Sequence, residues 1–170
     1  MTATWVSLDL IYPMIRLHED PDAGHVISMG KVMHLGDGLA IISTGRTYGP
    51  TEIGAEVLDS APPVELSPWE AVEQASINLS HNSEFAIVSM SDSSEIGLTP
   101  VAFDSVTPLT AGLYGIRVSV RGRGEHSRDV ACLIQLWPIT EKIPLQNLKD
   151  EDGVDVNDLY QMGTDPHPKG

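Results

Sequence analysis

One stretch, Gly112 to Pro138, limits the fold more than any other. Tyr114, Ile116, Val118 and Val120 alternate with Gly115, Arg117, Ser119 and Arg121. That is the two-residue period of a strand with one buried face. Val130-Ala131-Cys132-Leu133-Ile134-Gln135-Leu136-Trp137 is almost continuously apolar and stops at Pro138, the pattern of a central strand covered on both sides. Between them Gly122 to Asp129 is polar and rich in glycine, as a hairpin tip is. The spacing predicts a two-stranded spine for an all-β domain.

The rest of the chain reads as short strands between turns. Trp5 to Tyr12 alternates loosely and is interrupted by Pro13, after which Met14 to His18 reads as an edge segment. Val26 to Met33 reads as one strand, whose Gly30 marks a bulge or a close backbone approach. Leu39–Thr44 and Thr51–Leu58 are expected to form a second hairpin. Ala61-Pro62-Pro63 breaks the sheet. Ser67-Pro68 reads as the cap and first position of a helix running through Gln74, but the stripe Ala75, Ile77, Leu79 has strand spacing. The stripe favours a short turn followed by a strand over Glu73 to Ser80. His81 to Ser83 is then expected to close a third hairpin with Glu84 to Met90, and Val101 to Phe103 reads as a short strand. The fold class expected is an all-β antiparallel β-sandwich, or jelly-roll-like arrangement, with little helix. Residues 1–148 form that domain. Residues 149–170, with the acidic block Asp150 to Asp158, read as a mobile tail.

Charge narrows the function classes. The 170 residues carry 24 acidic side chains against 10 Lys and Arg, a formal net charge of -14. Such a surface repels nucleic acid and anionic lipid, because phosphate recognition needs clustered cations. It suits a basic partner, and it equally serves solubility. No apolar run is long enough to span a bilayer and no secretory pattern opens the chain, so a cytoplasmic location is expected. The single cysteine, Cys132, lies in the apolar strand and reads as a small core hydrophobe.

No constellation for chemistry stands out. His18, Asp20, Asp22 and His25 are the nearest thing to a metal set, but their spacing matches no ligand pattern. The block Asp150 to Asp158 has the composition of a calcium loop without its ladder of ligands. Gly122-Arg123-Gly124 precedes no helix and so cannot cradle phosphate as such loops do. No catalytic residue, cofactor or metal is therefore expected. Arg117 and Arg121 share a strand face and form either a cationic stripe or partners for neighbouring carboxylates. Trp69 and Trp137 read as core packing, with an interface role as the alternative.

The spine also carries a resemblance. A strand with a glycine, an aromatic and Arg-Val that ends in Arg-Gly-Arg is matched by Gly112 to Arg123. A following strand ending Leu-Ile-Gln-Leu-Trp-Pro is matched by Leu133 to Pro138. With Gly45 to Pro50, Val57-Leu58-Asp59 and Trp69-Glu70, this layout resembles the competence protein J family, inhibitors of a nuclease of DNA uptake. The likeness spans Leu39 to Pro138, and Gly115 departs from the bulkier polar residue usual there. It implies a non-catalytic inhibitor whose acidic face caps a basic partner, such as a nuclease or toxin. Candidate partner-binding residues are Glu52, Glu56, Arg117, Arg121, Asp150, Glu151 and Asp152. A β-sandwich that binds a small ligand or carbohydrate is the alternative, although a chain only 5% aromatic offers little sugar platform.

Overall fold

The structure is a computed structural model, and the residues it describes are 3–10, 14–18, 26–45, 49–80, 86–89, 100–101, 110–123 and 129–154. They form twelve strands and, among the described residues, no helix. In chain order these are β1 (Thr4–Leu10), β2 (Met14–His18), β3 (Val26–Met29), β4 (Met33–Gly36), β5 (Leu39–Ser43) and β6 (Gly49–Val57). There follow β7 (Ala71–Leu79), β8 (Ala86–Ser89), β9 (Pro100–Val101), β10 (Gly112–Arg121), β11 (Val130–Pro138) and β12 (Gln146–Asp150). The first sheet runs β1-β6-β11-β10-β7-β12 and the second β3-β4-β5-β2-β8-β9.

The spine forms as its alternation requires. β10 and β11 pair antiparallel, from Tyr114 opposite Pro138 to Arg121 opposite Ala131, in the middle of the first sheet. β11 also pairs with β6, and this pairing is parallel, Val130 beside Thr51 and Leu136 beside Val57. The first sheet is thus mixed rather than wholly antiparallel. A strand apolar on both faces is satisfied by a neighbour of either direction, provided both its edges are covered.

Several expected pairings are replaced. β5 and β6 lie in different sheets, and so do β7 and β8, so neither the second nor the third hairpin exists. A turn signal brings strands close in sequence but leaves their partners undecided; the edges of β7 are taken by β10 and β12 instead. β2 is internal, between β5 and β8, and not an edge. Val26 to Met33 divides into β3 and β4, with a register shift between Val26 and Ser28. β7 starts at Ala71 rather than Glu73, without a preceding helix, because Ala71 and Val72 already pair with Val120 and Ser119. Phe103 and the hairpin tip at 124–128 lie outside the described residues.

The chain beyond Lys149 also departs from expectation. Lys149 and Asp150 belong to β12, paired with Val72 and Ala71 of β7. Glu151 N–H donates to the Glu70 carbonyl at 2.9 Å. The domain therefore extends past residue 148 to Val154, and the rest of the expected tail, 155–170, lies outside the described residues.

The core draws on both sheets. Val32, Met33, Leu35, Ala40 and Ile42 meet Ile53, Ile77, Ile116, Val118, Cys132 and Ile134 in one cluster. Among the described residues, Glu73 brings a charge to that apolar inner face. Glu73, 1% exposed, sits on β7 between Ala71 and Ala75. Its carboxylate accepts the backbone N–H of Lys31 at 2.6 Å, Val32 at 2.9 Å and Met33 at 3.0 Å, and Asn147 Nδ2 at 3.3 Å. Gly30 has the close approach that its position in the sequence suggested. A Cβ there would lie 2.3–2.8 Å from the carboxylate atoms, so no side chain fits.

Arg123 holds the same turn from the other side. It is buried at the end of β10 and donates to both Asp152 oxygens, at 2.6 and 3.0 Å, to the Lys31 carbonyl at 3.1 Å and to the Val154 carbonyl at 2.8 Å. Lys31 Nζ reaches Asp150 at 2.5 Å. These contacts give the docked segment 150–154 its place.

Removing the Glu73 carboxylate would strand three donors in the core. Glu73→Ala is expected to lower stability by about 3 kcal/mol in urea unfolding. A loss below about 1 kcal/mol would show that the clamp adds little beyond a surface hydrogen bond.

Candidate functional site

Alternation along the first sheet sends one residue set to the core and the other outward. Thr51, Ile53, Cys132, Ile134, Ile116 and Val118 face inward, so Glu52, Gly54 and Glu56 of β6 face outward. Cross-strand pairing brings Trp5 of β1 opposite Gly54, Ser7 opposite Glu52, and Leu133 and Gln135 of β11 beside Gly54 and Glu56. Arg117 and Ser119 of β10 continue the row opposite Gln135 and Leu133.

The segment 58–69 crosses this outer face and covers its centre. Trp69 packs on Val72, Ala131, Leu133 and Leu148. Arg117 fastens the segment to the sheet. Its Nε and Nη2 donate to Gln74 Oε1 at 3.0 and 2.7 Å, and its Nη1 donates to the carbonyls of Pro62 at 3.1 Å and Pro63 at 2.9 Å. Its guanidinium also lies 5.2 Å from the centre of the Trp137 ring. Burial pulls the pKa of this guanidinium below its ordinary value.

Arg117, 3% exposed, is therefore withdrawn from the surface, which corrects its place among the candidate partner-binding residues and removes the cationic stripe, one of the two readings of Arg117 and Arg121. Nor does Arg117 pair with a carboxylate. Carbonyls and a side-chain amide take the Arg117 donors, and Arg121, which is exposed, lies 5.4 Å from the centre of the Trp69 ring. Trp69 and Trp137 are buried, as core packing requires.

The remaining candidate residues separate into two places. Glu52 is exposed and Glu56 half-buried on β6, where Glu56 Oε1 accepts from Gln135 Nε2 at 2.5 Å. Asp150, Glu151 and Asp152 lie at the end of β12, at the opposite edge of the sheet, with β11, β10 and β7 between it and β6. Asp150 and Asp152 are occupied by Lys31 and Arg123. The Lys31 hydrogen bond is the chief cause of an Asp150 carboxyl held below its ordinary value. Glu151 is exposed, 3.3 Å from Lys149. The structure does not unite the two acidic groups into one face.

The β6 side holds a groove of about 270 Å³. Leu58, Pro62, Pro63 and Leu133 give it apolar walls, and Glu56 and Glu65 bring carboxylates. Glu65 and Trp5 are the residues that sequence reading missed here. Glu65 sits in a proline-bounded linker that shows no period. Trp5 could have been found from its alternating segment, had the pairing of β1 with the Glu52-x-Gly54-x-Glu56 strand been known. A second concavity of about 370 Å³ lies between β3 and the 142–145 segment, with Asp37 and Lys142 of opposite charge in its lining. It has no bias of sign.

Cys132 is buried on the inner face, and burial pushes its thiol up to about 12. Among the described residues no group of three or more His, Cys, Asp or Glu is placed to hold a metal. Also among them, no helix is long and apolar enough to cross a membrane.

No family model and no curated protein matches this chain. Among solved structures it is similar to one described as "Crocagin biosynthetic gene J", with 14% sequence identity and a TM-score of 0.47. The similarity covers 82% of this chain and 100% of that chain.

A thiol with this pKa is un-ionised, and so unreactive, near neutrality. Cys132 is expected to stay unmodified by iodoacetamide at about pH 8 in the native protein and to react fully in denaturant. Rapid native labelling would contradict its burial.

Proposed function

We propose that this chain is a non-catalytic, cytoplasmic binding protein, a β-sandwich that caps a basic partner protein with the β6 side of its outer sheet face. The groove between Glu56 and Glu65 carries the reading. A lysine or arginine side chain has an aliphatic stem and a charged end. The walls of Leu58, Pro62 and Leu133 suit the stem, and the two carboxylates suit the end through charge-assisted hydrogen bonds. Arg117 supports the same reading by fixing the Pro62-Pro63 wall, so the groove is formed before a partner arrives.

The net charge of -14 favours encounter with a cationic surface and makes association fall as salt rises. The resemblance of the spine to the competence protein J family suggests a nuclease or toxin as the kind of partner. Recognition centres on Glu52, Glu56 and Glu65. The carboxylates of Asp150 and Asp152 are held within the fold and serve it there.

Titration of the isotope-labelled protein with a lysine- and arginine-rich peptide tests this by nuclear magnetic resonance. Shift changes are expected to concentrate at Glu52, Glu56, Glu65 and Leu133, to fade at high salt, and to vanish in the triple Glu→Gln variant. Changes centred on 150–152, or none at low salt, would overturn the assignment.

A further inference from the structure

The three tryptophans of the chain all stand on the outer face of the first sheet, and two already have an arginine over the ring. Arg117 lies 5.2 Å from the Trp137 centroid and Arg121 5.4 Å from that of Trp69. Both distances fall within the reach of a cation–π contact. Trp137 and Trp69 are 2% and 8% exposed.

Trp5 repeats the construction of Trp137 with its outer half open. Trp137 lies against its cross-strand neighbour Gly115, where a Cβ would come within 2.3 Å of the ring. Trp5 lies against its cross-strand neighbour Gly54 in the same way, where a Cβ would meet the ring atoms Cε2, Cδ2 and Cζ2 at 2.7–2.8 Å. The glycine lets one indole face settle on the backbone. In the first case Arg117 lies over the ring. In the second the side chain is 44% exposed, and among the described residues no cation is placed over it.

The flanks of Trp5 are acidic. Glu52 and Glu56 stand two residues to either side of Gly54 on the same face of β6. As diagonal neighbours of Trp5 their Cβ atoms come within about 7–8 Å of its own, a span that long side chains bridge. We propose that Trp5, Glu52 and Glu56 seat an arginine side chain of the basic partner. The guanidinium stacks on the open indole face and donates its N–H fork to the carboxylates. Arginine fits better than lysine because its planar head stacks and binds a carboxylate in two places at once, whereas an ammonium is a compact, strongly hydrated charge. The proposal rests on the acidic-face reading above and adds to it the identity of the side chain received.

The test compares two dye-labelled peptides of the same sequence, one rich in arginine and one in lysine, by fluorescence anisotropy with the full chain. The arginine peptide is expected to bind several-fold more tightly and to quench tryptophan emission saturably, Trp5 being the most exposed of the three. Trp5→Leu is expected to weaken the arginine peptide about tenfold and to level the two peptides, at unchanged melting temperature. If Trp5→Leu leaves affinity intact while Glu52→Gln with Glu56→Gln reduces it, the arginine seat is wrong and the acidic face stands. If neither variant changes affinity, both are wrong. Equal affinity of the two peptides for the unaltered protein would also overturn the arginine assignment.

Discussion

A carboxylate in an apolar core is tolerable only when donors meet its charge. Glu73 satisfies this with three consecutive backbone N–H groups, those of Lys31, Val32 and Met33. The donors belong to the turn between β3 and β4 and to Met33, which opens β4, and the acceptor to β7 of the other sheet. One side chain thus ties together two sheets whose other inner-face contacts are mainly apolar and non-directional. Apolar packing alone allows neighbouring registers, whereas hydrogen bonds to three successive amides allow one. Gly30 is a condition of this arrangement, since any side chain there would occupy the carboxylate's place. Arg123 completes the closure by gripping Lys31 from its carbonyl side and anchoring Asp152.

The two faces of the first sheet consequently serve different ends. Its inner face is spent on the core and on Glu73. Its outer face is built from tryptophans and arginines, with Arg117 buried beneath the 58–69 segment that it holds in place. Carboxylates left over on β6 flank a groove and an open indole. The same pairing of arginine with tryptophan that stabilises the covered part of the face is the basis proposed for recognition at its uncovered part.

Local pattern was legible in the sequence, and long-range pairing was not. The alternation of Tyr114 to Arg121 and the apolar run from Val130 placed β10 and β11 together, because adjacent strands with a strong period and a polar turn have few other options. Cys132 read correctly as core for the same reason. The expected hairpins at Leu39–Leu58 and Glu73–Met90 failed because turn residues mark where a chain reverses but not which sheet it enters. Arg117 was taken for a surface cation because its neighbours along the strand alternate outward. What buries it is a segment more than fifty residues earlier, Pro62-Pro63, which only folding brings near. Asp150 and Asp152 looked like solvated tail because an acidic run has that composition. Their partners, Lys31 and Arg123, lie 119 and 29 residues away in the sequence. Glu73 did leave a trace, a single carboxylate on the apolar stripe of Ala75, Ile77 and Leu79, and a charge so placed signals a buried partner set.

The tie between the sheets is tested most directly by native-state hydrogen exchange at Lys31, Val32 and Met33. Lys31 and Val32 lie in a turn, where exchange is ordinarily fast, and Met33 opens β4. Held by Glu73, they are expected to exchange only through global unfolding, with the same opening free energy as the amides of Ile116 and Val118 in β10. Exchange at the rate of an exposed turn would contradict the clamp, and with it the view that one buried carboxylate fixes how the two sheets meet.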